Sequence, residues 1–147
     1  MDSNRIVGGI AAAEWKVLSN KEDSAVFFTQ EQEGKPIILR VYSREMPAYE
    51  AVRQRPCAGL PRIYDCRWEN GLFFVREQFI DGISLQEMID GGEKMDVERA
   101  LTLTARLCET LGKLHEIGFI HRDVKPEHVL LTAKGELFLI DLDAAMR

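Results

Sequence analysis

The chain of 147 residues predicts an α+β fold: an antiparallel sheet of five strands with one helix inserted after the third, followed by a second, partly helical part. Three observations carry this expectation. Short runs rich in β-branched and aromatic residues are separated by polar turns as far as Phe79. Beyond Asp81-Gly82 apolar residues recur at helical spacing. Near the C-terminus a glycine-containing turn divides two further aliphatic runs.

Taken in order, Glu14 to Leu18 and Ser24 to Thr29 are two strands joined by Ser19-Asn20-Lys21-Glu22-Asp23. Gln30 to Lys35 is a second polar turn, and Pro36 to Tyr42 is a third, nearly continuously aliphatic strand, so the three read as a meander. A helix runs from Pro47 to Arg55, with proline in its first turn and Pro56 as its stop. Arg62 to Trp68 and Leu72 to Phe79 are two more strands around Glu69-Asn70-Gly71. Ser84-Leu85-Gln86-Glu87 is a capping box, hydroxyl and carboxylate each satisfying a helix-end amide, and its short helix ends at Gly91-Gly92. Asp96 caps a longer helix in which Val97, Ala100, Leu101, Leu107, Cys108, Leu111 and Leu114 form one buried face and Gly118 is the stop. Val129 to Thr132 and Glu136 to Ile140 make a hairpin around Ala133-Lys134-Gly135.

Composition narrows the function classes. A net charge of -5 gives no general attraction to nucleic acid or anionic lipid. The apolar stretch Ile6 to Ala13 is too short to span a bilayer and has Asp2 in its flank, so it reads as a strand or loop of a cytoplasmic protein. Three cysteines, Cys57, Cys66 and Cys108, form no C-x-x-C pair and read as buried free thiols in a reducing compartment.

The chemistry lies in His121-Arg122-Asp123-Val124-Lys125-Pro126-Glu127-His128-Val129-Leu130-Leu131, followed by Leu139-Ile140-Asp141-Leu142-Asp143. These runs resemble the catalytic loop and metal-binding turn of eukaryotic-type (Hanks-type) Ser/Thr protein kinases, H-R-D-x-K-P-x-N-[ILV]-L-L and then D-F-G. The resemblance implies that Asp123 accepts the proton of the substrate hydroxyl, that Lys125 steadies the transferred phosphoryl group and that Asp141 binds the metal. The family's metal-binding Asn is His128 here, and Asp143 replaces the glycine of the turn, where it would supply the lost oxygen. The implied cofactors are ATP with Mg²⁺ or Mn²⁺, Mn²⁺ competing well because imidazole suits softer ions. The alternative for His128 is a hydrogen bond within the loop and no second metal.

The family's small lobe would then be residues 1–80, and residues 81–147 the first part of its large lobe. Aligning Val26 with the Val after the family's glycine-rich turn leaves no glycine in Ser19 to Ser24 and puts Glu22 and Asp23 towards the phosphates, with Lys21 to offset one charge. A phosphate lid and a solvated hairpin turn both fit. Ile37-Ile38-Leu39-Arg40 matches V-A-I-K, so Ile38 would roof the adenine and Arg40 would reach the phosphates, Glu50 being the match for its carboxylate partner. A purely structural Arg40–Glu50 pair fits equally well. Val75 to Phe79 resembles the hinge, with the Glu77 carbonyl and Phe79 amide meeting adenine and Arg76 guarding the back of the pocket.

The chain stops at Arg147, where family members continue with an activation segment and further helices, so the resemblance implies that about two fifths of a domain of roughly 250 residues is absent. The long helix would then expose part of its apolar face and favour self-association. Two readings stay open. Asp123, Lys125 and Asp141 favour an ATP-dependent protein kinase acting on protein hydroxyls; the missing glycines, Lys and Asn favour a pseudokinase that works by binding a protein partner. Small-molecule kinases of the superfamily usually lack the Lys after the catalytic Asp and are the weaker enzymatic alternative.

Overall fold

The computed structural model describes residues 1–2 and 15–147. The stretch Ile6 to Ala13 lies outside them, as does Glu14. Two compact units are present. One comprises the described residues up to Arg53 together with Arg62–Phe79, the other Gln54–Pro61 with Ile80–Arg147.

The first unit is a five-stranded antiparallel sheet of β1 (Trp15–Asn20), β2 (Ser24–Gln30), β3 (Pro36–Tyr42), β4 (Ile63–Glu69) and β5 (Leu72–Gln78), in the order β1-β2-β3-β5-β4. The helix α1 (Pro47–Gln54) follows β3. Side chains alternate between the faces of a strand, and the register divides them accordingly. Ala25, Phe27, Leu39, Val41 and Phe74 form a buried cluster, with Met1, Trp15 and Leu72 packed on it. The indole of Trp15 meets the Phe27 ring edge-on. Tyr42 belongs to the other parity of β3; its hydroxyl donates to that of Tyr49 on α1 at 3.1 Å, and Ala48, Tyr49 and Val52 of that helix are buried.

The second unit has a three-stranded antiparallel sheet, β6 (Gly82–Ser84), β7 (Val129–Thr132) and β8 (Leu137–Leu139), with the helices α2 (Leu85–Asp90) and α3 (Val97–Glu116). The capping box is formed: the Glu87 amide donates to Ser84 Oγ at 3.0 Å and the Ser84 amide to Glu87 Oε2 at 2.6 Å. Strand β6 escapes a reading of the sequence because it is three residues long and starts with glycine. That glycine is required, since a Cβ on Gly82 would lie 2.7 Å from the Leu131 carbonyl oxygen. At the end of α3 the amides of Gly118 and Phe119 donate to the carbonyls of His115 and Leu114, the doubly bonded glycine stop expected there.

The buried face of α3 differs from the expected one. Leu103, Thr110 and Leu114 are buried and Ala100, Leu107 and Leu111 half-buried, while Val97 is 76% and Leu101 65% exposed and Cys108 is exposed. The reason is the segment Gln54–Pro61, which packs on Thr110: the threonine hydroxyl donates to the Arg106 carbonyl at 3.2 Å, and the Gly59 carbonyl accepts from the Leu139 amide at 2.8 Å. A polar residue at the centre of a buried row hides that row from a search for apolar periodicity. Among the described residues no helix is long and apolar enough to cross a membrane.

Candidate active site

The loop between α3 and β7 is held at both ends by backbone. Ile120 and Met146 exchange amide-to-carbonyl bonds of 2.7 and 3.0 Å, and the Ile140 amide donates to the His128 carbonyl at 2.8 Å. Within the loop His121 is buried. Its Nδ1 accepts from the Asp123 amide at 3.2 Å, which leaves the proton on Nε2 to be donated to the Ile140 carbonyl at 3.1 Å. Burial lowers the pKa of this imidazole, only partly offset by the Ile140 carbonyl, so the ring stays neutral near pH 7. His121 is therefore a structural strut.

His128 connects Asp123 with Asp141. Its Nδ1 donates to the Asp123 carbonyl at 2.8 Å, and its Nε2 stands 3.2 Å from Asp141 Oδ2. Lys125 Nζ is 3.6 Å from Asp123 Oδ2, both side chains being open to solvent. Asp141 Oδ1 accepts from the Asp143 amide at 3.0 Å, which turns the carboxylate back onto the loop. Arg122 and Asp141 both have positive φ, 69° and 66°. Left-handed backbone at a residue other than glycine costs about 1 kcal/mol or more and persists where the surroundings enforce it, commonly at working sites. Arg122 also donates to the Met146 sulfur.

In the first unit, register brings another set together. Val26 faces Arg40, Arg40 faces Val75, and Ile38 faces both Phe28 and Glu77, so Val26, Ile38, Arg40 and Glu77 share one face of the sheet. Arg40 and Glu77 are both buried, 6% and 3% exposed, and form an ion pair through Arg40 Nε and Glu77 Oε2. Phe79 packs edge-on against Phe28 with ring centroids 5.0 Å apart. Glu50 is gripped at both oxygens by Arg53, at 2.6 and 3.0 Å. The turn after β1 is a closed hairpin, the Lys21 amide donating to the Ser24 carbonyl at 2.8 Å.

Over residues 19–147 the sequence matches the protein kinase domain family. The chain belongs to that family. Among similar curated proteins, this kinase-family chain is 36% identical over 83 residues to serine/threonine-protein kinase PknD of Mycobacterium tuberculosis, 56% of this chain and 12% of that protein. It is 29% identical over 109 residues to serine/threonine-protein kinase D of a Synechocystis species, 74% of this chain and 21% of that protein. A probable serine/threonine-protein kinase of Streptomyces coelicolor is 33% identical over 72 residues, 49% of this chain and 11% of that one. The chain thus spans well under a third of the length of these three relatives.

Membership gives the geometry its terms. The family uses ATP with a divalent metal; His128 Nε2 and Asp141 Oδ2, 3.2 Å apart, are the two candidate ligand atoms that stand together here. Among the described residues no three or more His, Cys, Asp or Glu side chains are grouped to hold an ion. Mg²⁺ on a nucleotide usually takes one or two carboxylates, with water and phosphate oxygens completing its shell; here one of the two groups is an imidazole, a softer ligand.

One assignment needs correction. Arg76, expected to guard the back of the pocket, belongs to the opposite face of β5, where it pairs with Glu31 through Nε at 2.7 Å. The side chain that shares the face of Ile38 and Arg40 is that of Glu77. Strand β5 has no alternation to show its parity, four apolar residues from Leu72 being followed by Arg76, Glu77 and Gln78; only the pairing with β3 reveals it. The thiols also differ from expectation: Cys108 is exposed, and Cys57 and Cys66 are half-buried. Burial and then the neighbouring Glu50 carboxylate push Cys66 up to about 12, so it stays a thiol.

Proposed function

We propose that this chain carries the nucleotide-binding strands and catalytic loop of an ATP-dependent Ser/Thr protein kinase, transferring the γ-phosphoryl group of ATP to hydroxyls of a protein substrate. The observation that carries the reading is His128, which touches the backbone of Asp123 and the carboxylate of Asp141 at once. Asp123 takes the hydroxyl proton as the substrate oxygen attacks the γ-phosphorus and the bridging bond to ADP breaks. Lys125 neutralises charge on the transferred group. Asp141 and His128 would hold Mg²⁺ or Mn²⁺, with Asp143 beside them; such an ion neutralises the phosphates and fixes their geometry. Lys21, Val26, Ile38, Arg40, Glu50, Glu77 and Phe79 would line the nucleotide's base and phosphates. Residues 1–80 and 81–147 are then the small lobe and the first part of the large lobe. Three free cysteines support a reducing, cytoplasmic setting. The net charge of -5 argues against nucleic acid as a partner, and the exposed face of α3 supports self-association.

Thermal unfolding with ATP in Mg²⁺, and separately in Mn²⁺, tests this beside D141A. ATP at 100 times its dissociation constant adds ~2.7 kcal/mol, a midpoint shift of roughly 5 to 10 °C, which D141A should lose. D123A should keep the shift and lose phosphoryl transfer; transfer surviving that change would remove Asp123 from its role. A second reading, a pseudokinase that binds a protein partner, is favoured by the Arg40–Glu77 pair, and the absence of any shift in either metal would select it.

A further inference from the structure

The Arg40–Glu77 pair does work that the proposed reaction does not ask for. A buried guanidinium requires an anion beside it, because desolvation without a partner is severe. On the sheet face assigned to the nucleotide, Glu77 is that anion. It stands on β5 opposite Ile38, two positions along from Val75, which faces Arg40. The guanidinium is further held 5.8 Å above the Tyr49 ring. A phosphate oxygen and a carboxylate oxygen are the same kind of acceptor for a guanidinium N–H.

We propose that Glu77 sets nucleotide affinity in this chain, its carboxylate engaging Arg40 as an internal substitute for a nucleotide phosphate; the inference rests on reading Arg40 as the phosphate-contacting cation. An intramolecular partner acts at high effective concentration. ATP therefore binds the fraction of molecules in which Arg40 has left Glu77, and its apparent affinity falls by that fraction. The released carboxylate remains on the same face and adds repulsion towards the triphosphate. A neutral side chain at this position releases the cation.

The test compares wild type, E77Q and R40K/E77M for binding of ATP with Mn²⁺ and of adenosine, by calorimetry on the full chain. E77Q should bind ATP about tenfold more tightly or better, and any change for adenosine should be several-fold smaller, because adenosine has no phosphate to compete for Arg40. R40K/E77M replaces the pair by a compact cation and an apolar side chain; it should show the same gain, and it decides the matter if E77Q does not fold. Binding of ATP by wild type without a gain in either variant overturns the role of Glu77 and leaves the nucleotide reading intact. An equal gain for adenosine overturns it too, since the pocket has then been opened and no cation released. No ATP binding by any of the three proteins overturns both.

Discussion

His128 faces two ways: one nitrogen is committed to the Asp123 carbonyl, and the other looks at Asp141. An asparagine there would keep the first contact through its amide nitrogen and offer oxygen, a harder ligand, in place of the second. H128N should therefore abolish any excess of the ATP-induced thermal shift in Mn²⁺ over that in Mg²⁺; an excess that survives would show that the imidazole is no ligand. His121, the neighbouring strut, gives a pH dependence of definite sign. Its folded pKa lies below the ordinary 6.5, so the unfolded chain binds its proton first, and its contribution to stability is complete above pH 6.5 and is lost as pH falls towards the lowered value. Urea midpoints between pH 5 and 7 should fall more steeply in wild type than in H121N, and equal slopes would remove His121 as the cause. The neighbourhood of these side chains is legible because the motif fixes their order along the chain. The partner of Arg40 is not, since it depends on which residue of β5 lies opposite which residue of β3.

Elements with strong local signals emerge from the sequence almost unaided. Ser84 and Glu87 announce α2, and β2, β3 and β5 are aliphatic or aromatic runs between polar turns. Elements that depend on a distant neighbour do not: β6 exists only through β7, and the buried row of α3 only through the segment around Gly59. Gly59 has φ +87°, and a Cβ there would lie 2.0 Å from Thr110 Oγ1. G59A should destabilise the chain by about 2 kcal/mol or more, combining the penalty of left-handed backbone with overpacking. Adding T110A should restore part of the loss by removing the hydroxyl, leaving the backbone penalty. Denaturant melts of the two variants read this directly, and a full rescue would mean that the left-handed conformation costs nothing there.

For the molecule as a whole, the exposed pair Val97 and Leu101, one helical turn apart on α3, is the surface on which association should act. V97K/L101E leaves the net charge unaltered and should shift sedimentation towards the monomer; a wild type that sediments as a monomer at all concentrations would end that expectation. The site itself depends less on distant parts of the chain. Asp123 and Asp141 are eighteen positions apart, and the β7–β8 hairpin brings their segments together through pairing that is nearly all local. Closing a loop of that length costs roughly 2.5 kcal/mol in its length-dependent entropy, and the hairpin meets that cost while forming its own hydrogen bonds. In kinetic terms the segment from Asp123 to Asp141 has low contact order. It resembles a self-contained folding nucleus, ready early, whereas the sheet that would receive the nucleotide must wait for β3 to find β5 across a helix and an intervening strand.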